Sequence, residues 1–95
     1  MANTFGELVR GLRQKRDLTL EKVAKAIQSH KGYVSGIERG KVAPPSMKFI
    51  QKMAKLFQFD VKTLAWFAYL EKAPKEIKSD ERFRDLERKV KMESA

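Results

Sequence analysis

The chain contains no cysteine, which removes disulfide staples, thiolate metal sites and a cysteine nucleophile together. Its single histidine, His30, has no cysteine and no carboxylate cluster beside it, so neither a metal nor a cofactor is expected. No Ser-His-acid set or paired buried carboxylates stand out. Gly32, Gly36 and Gly40 are evenly spaced, but no strand precedes them as a phosphate loop requires. A non-enzymatic protein is therefore expected. No apolar run approaches the roughly 20 residues of a membrane span. The start MANTFGELVRG reaches a charge at Glu7 without an apolar region, so no secretion signal is read, and a soluble cytoplasmic protein without membrane contact is expected.

Acid is also scarce. Twelve Asp and Glu face 21 Lys and Arg, for a net charge of +9. The surplus is +5 over residues 1–45, +3 over 46–70 and only +1 over 71–95. It lies on the part that reads as compact. A basic folded face suits a polyanion, whose condensed counterions are released on binding. Basic chains that bind no nucleic acid are common, so charge alone does not decide. At 95 residues and 42% apolar content there is room for one domain with a modest core.

Helical periodicity runs through the chain, and strand alternation is absent. Thr4 and Glu7 have capping-box spacing, followed by the stripe Phe5, Leu8, Val9 and Leu12, ending near Arg16-Asp17. Thr19 can cap a second helix with Leu20, Val23, Ala24 and Ile27 inward, ending by about Gln28. Ser29 or His30 can cap a short third helix carrying Tyr33, Val34 and Ile37, which Gly40 would terminate. Pro44 and Pro45 keep the next stretch non-helical. Ser46 caps a fourth helix with Ile50, Met53, Ala54 and Phe57 in register. Asp60 caps a fifth with Val61, Leu64, Ala65 and Ala68. A second stripe on that helix, Trp66, Tyr69, Leu70 and Ala73, implies burial on two sides. Pro74 ends it. Residues 74–95 form a charged segment, either a docked helix with Phe83, Leu86 and Val90 on one side or a frayed tail.

Two short helices joined by a tight turn and flanked by core helices describe a helix-turn-helix, in which the second short helix enters the major groove. The stretch LTLEKVAKAIQSHKGYVSGIERGKVAPPSMKFIQKMAKLF resembles the lambda-repressor-like, xenobiotic-response-element family of bacterial and phage regulators. Thr19-Leu20-Glu21, Val23-Ala24, Tyr33-Val34-Ser35, Ile37-Glu38-Arg39-Gly40-Lys41 and Pro45-Ser46 carry the resemblance, over residues 4–70. It implies an all-α, five-helix lambda-repressor-like domain, here over residues 4–73, followed by the 74–95 segment as a sixth helix or a partly disordered tail. It implies a sequence-specific duplex-DNA-binding regulator, a repressor, with a recognition helix at about 30–39. Lys31, Gly32, Ser35 and Gly36 fall at base-facing positions; Thr19, Leu20, Tyr33, Arg39 and Lys41 fall near phosphates. His30 reads as a cap or a phosphate contact. Arg13 and Glu38 match a structural ion pair between the first and third helices.

Leu20 stands where glutamine is usual in that family, and Gly32 and Gly36 offer no side chain to a base. Such a set implies few direct readers, Lys31 toward guanine foremost, with shape and phosphate contacts carrying more of the affinity. Trp66, Tyr69 and Leu70 are the expected face for a homodimer, unless the C-terminal segment covers them. The rival expectation is an antitoxin-like or accessory protein-interaction module on the same scaffold, holding a partner protein through its C-terminal region.

Overall fold

A computed structural model describes residues 2–93. Seven helices follow one another, with no strand among the described residues: α1 (Phe5–Lys15), α2 (Leu20–Ala26), α3 (Lys31–Glu38), α4 (Met47–Phe57), α5 (Val61–Lys72), α6 (Lys75–Lys78) and α7 (Glu81–Glu93). The expected count, five or six if the C-terminal segment docks as a helix, is corrected to seven among the described residues. Pro74 halts α5, and the chain makes the single turn of α6 before α7 begins. None of the helices described is long and apolar enough to cross a membrane.

Local chemistry explains the boundaries. The Thr4 hydroxyl accepts the Glu7 N–H at 3.1 Å while the Glu7 carboxylate accepts the Thr4 N–H at 3.1 Å, a closed capping box. Thr19 accepts from Lys22 N–H at 3.1 Å and Asp60 from Thr63 N–H at 2.9 Å. Ser46 occupies the fourth N-cap without a side-chain hydrogen bond.

Four helix ends close in the same way, through a residue with positive φ: Asp17 (54°), Gln28 (59°), Gly40 (72°) and Gln58 (51°). Behind each, two amides return to the last turn. In α3 these are Gly40 N–H to Ile37 O at 3.1 Å and Lys41 N–H to Gly36 O at 2.8 Å, a Schellman closure. Only one of the four is glycine. The other three sit in a region that disfavours a side chain, and the paired return hydrogen bonds hold each closure.

The core gathers Phe5 and Val9 from α1, Val23, Ala24 and Ile27 around α2, and Val34 and Ile37 from α3. Ile50, Met53, Ala54 and Phe57 from α4 and Leu64, Phe67 and Ala68 from α5 complete it. α3 packs against α1 and α2, α4 against α2 and α5, and α1 against α5. A second small cluster, Leu70, Ala73 and Phe83, seats α7 on α5. The two-sided burial expected of α5 is thus only half met. Leu70 and Ala73 are buried, whereas Trp66 and Tyr69 remain 42% and 47% exposed.

Candidate nucleic-acid interface

α2 and α3 are joined by the short turn Ile27–His30, and Ile27, Val34 and Ile37 anchor both helices to the core. Their burial fixes which side of α3 remains outside. Lys31 and Gly32 are exposed and Ser35 is half-buried. Gly36 was expected to face outward. It is buried instead, and a Cβ there would lie 3.4 Å from Val42 Cγ2. The Schellman closure folds the α3–α4 loop back over Gly36, so the outer face of α3 is confined to its first turns.

His30 forms the N-cap of α3: its Nδ1 accepts the Tyr33 N–H at 3.3 Å. The cap therefore requires the tautomer with Nδ1 unprotonated. Tyr33 is half-buried, edge-on to Phe49 with ring centroids 6.1 Å apart. Thr19 is exposed, but its hydroxyl is engaged at the α2 cap. Leu20 is half-buried against the core, as befits leucine in place of an amide. Arg39 lies back along its own helix, its Nε donating to Ser35 O at 3.4 Å, and Lys41 is exposed on the loop beyond.

Arg13 and Glu38 meet in a two-point pair: Nε to Oε2 at 2.7 Å and Nη2 to Oε1 at 3.1 Å. Arg13 Nη1 also donates to Leu18 O at 3.0 Å, so one guanidinium ties α1, the α1–α2 turn and α3 together. The side chains are only 15% and 5% exposed. The hydrogen bonds it donates to Glu38 hold the Arg13 guanidinium above its ordinary pKa, reinforcing its charge. This pairing cancels the one acid on α3 and sets the angle of α3 on α1.

Other features went unread in the sequence. Gly6 is buried where α1 crosses the end of α3; a Cβ there would fall 2.4 Å from Ile37 O and 2.6 Å from Glu38 O. A glycine in a first helical turn, where many residues are tolerated, was the available signal. The Glu71 carboxylate, arriving from α5, accepts the Phe5 N–H at the start of α1. Lys72 Nζ reaches Pro45 O at 2.9 Å, holding the α3–α4 loop against α5. Such contacts depend on tertiary approach, and periodicity does not report them.

The helix starts also differ in charge. The first turns of α1 and α2 carry Glu7 and Glu21, whereas those of α3 and α4 carry no acid. They carry Lys31 and Lys48 instead, although a cation at a helix N-terminus opposes the helix dipole. That arrangement is favourable when an anion lies outside the helix ends.

The geometry defines the class: a helix-turn-helix with a bare, basic-edged second helix. The helix-turn-helix domain family of the Cro and xenobiotic-response-element type matches residues 4–67, and the chain belongs to it. This is a family of DNA-binding regulators. No curated protein and no solved structure matches the chain.

Proposed function

We propose that the protein is a sequence-specific duplex-DNA-binding transcriptional regulator of bacterial or phage type. It represses by occupying an operator with α3 in the major groove. The observation that carries this reading is the first two turns of α3: no acid, Lys31 and Gly32 exposed, and Ser35 at the edge. Lys31 is the reader, pairing with guanine O6/N7. Gly32 lets the backbone come close to the groove floor. Lys41, His30 and Lys48 hold phosphates on either side, with Arg39 following once it leaves Ser35 O. Thr19 and Leu20 approach the backbone through the α2 N-terminus rather than through their engaged side chains. Tyr33 contributes its hydroxyl edge, and Gly36 serves the packing of Val42 rather than a base.

The operator is read twice. Trp66 and Tyr69, stacked edge-on with centroids 5.7 Å apart, face solvent beside a groove of about 370 Å³ lined also by Lys62, Ala65 and Leu86. A second copy covers this face, making a homodimer whose recognition helices lie about 34 Å apart, one duplex turn. Leu70 supports the face from beneath, since Phe83 covers it.

The test is selection of bound sequences from random duplexes at fixed salt. A two-fold-symmetric site with half-sites about 10 bp apart is expected. Recovery of no preferred sequence, together with tight co-purification of a partner protein, would instead favour the accessory-module reading.

A further inference from the structure

Between Glu38 and Asp60 the sequence has no acid, while Arg39, Lys41, Lys48, Lys52 and Lys55 all lie in that stretch. Three of these lysines fall on α4 at i, i+4 and i+7, one face of the helix. The stripe starts beside the α3–α4 loop and runs about 10 Å along α4 at 1.5 Å per residue. Near its far end, Lys52 and Lys55 line a groove of about 520 Å³ with Lys25 and Gln28 on the α2 side and Ala26 and Leu56 between them. Lys52 is held in place, donating to Gln28 Oε1 at 2.8 Å and lying 5.9 Å from the centre of the Phe49 ring. Glu21, one turn before Lys25, is the only acid on α2 or α4. No residue of α3 lines this groove.

We propose that the groove between α2 and α4 holds the sugar-phosphate backbone of DNA flanking the site that α3 reads. This rests on the reading of α3 as the recognition helix and extends its footprint. Magnitude chooses the occupant. An exposed ion pair multiplies affinity by about fivefold at best, so three lysines stay short of even a millimolar complex with a free acidic protein. A duplex already docked on α3 presents its flanks at high effective concentration, and there the same contacts are additive. Along the chain, Lys41 on the α3–α4 loop and Lys48 in the first turn of α4 lead to Lys52 and Lys55 at the groove.

The experiment compares the full chain with Lys25→Gln/Lys55→Gln, two exposed positions, on a duplex of about one and a half turns and on one of about three turns sharing the same selected centre. The wild type gains affinity with length. Per bound subunit, the double variant loses about tenfold on the long duplex and its log-log salt slope falls by about 2, while it loses little on the short one. Lys25→Arg/Lys55→Arg restores the long-duplex binding, and matching unfolding midpoints separate charge from folding. Adding Lys52→Gln deepens the loss. Equal affinity of wild type and double variant on the long duplex overturns the proposal. So does an equal loss on both lengths, or saturable poly-glutamate binding that the double variant abolishes while DNA binding is unchanged. Lys31→Ala on the short duplex reports separately on α3: if its sequence preference is unchanged, the reading of α3 has failed rather than that of the groove.

Discussion

Gly6 and the Arg13–Glu38 pair fix α3 on α1 from two directions. One is steric, through backbone carbonyls less than 3 Å from the site of a Cβ; the other is ionic, through two hydrogen bonds from the Arg13 guanidinium to the Glu38 carboxylate. Gly6→Ala drives a methyl into Ile37 O and Glu38 O, and backbone cannot step aside as a flexible side chain can. A loss of about 1–3 kcal/mol is expected in denaturant unfolding. Arg13→Ala strands a carboxylate that is nearly inaccessible, and a loss of about 3–5 kcal/mol is expected. Arg13→Ala/Glu38→Ala should recover part of that loss, because the stranded charge is then gone. A double-mutant cycle measures this coupling. The pair was legible by resemblance. The crowding at Gly6 was not, because it depends on how closely two helices cross.

At the scale of the element, helix starts and ends were the most readable features. Thr4, Thr19 and Asp60 cap through their side chains, while Ser46 holds its position without a bond, so the sequence marks where a helix begins better than how it is held. The α3 cap was open between Ser29 and His30, and the structure assigns it to His30. His30→Ala should cost about 1 kcal/mol of stability, and His30→Asn should retain most of it. Gly36 departs from the outward position for an element-level reason. Helical spacing puts it on the outer side, but the Schellman turn at Gly40 brings Val42 over it.

Acid lability is written into the same caps. Glu7 is lowered by the Asn3 and Thr4 amides, and Asp60 by Thr63. Asp80, at the head of α7, falls to about 2 through Arg82. Each carboxylate binds its proton less readily folded than unfolded, so its contribution is complete above the ordinary carboxylate range. That contribution is lost as pH falls through the range toward 2. These carboxylates should make the thermal midpoint decline as pH falls below about 5. An Asp80→Asn variant should show a shallower decline, measured by circular dichroism across that range.

For the molecule as a whole, the charged C-terminal segment was ambiguous in sequence because Phe83, Leu86 and Val90 make a stripe too short to stand alone. It becomes a helix by docking: Phe83 joins Leu70 and Ala73, which gives α7 a place on α5. The proposed homodimer is a whole-molecule assembly. Trp66→Glu should leave the fold intact, since the residue is 42% exposed, yet shift sedimentation toward monomer and weaken binding to a two-half-site duplex by about tenfold or more. A wild type that sediments only as monomer at high concentration would contradict it.

The most direct measurement is a titration of Lys31→Ala and Lys41→Ala against a selected operator and a scrambled duplex over a range of salt. If α3 reads bases and the loop grips phosphate, Lys31→Ala loses about 1–3 kcal/mol on the operator and little beyond one phosphate contact's worth on the scrambled duplex. Lys41→Ala weakens both about equally and lowers the salt slope by about one per bound subunit. Identical behaviour of the two variants on both duplexes, or wild-type binding by both, would contradict the placement of α3 in the major groove.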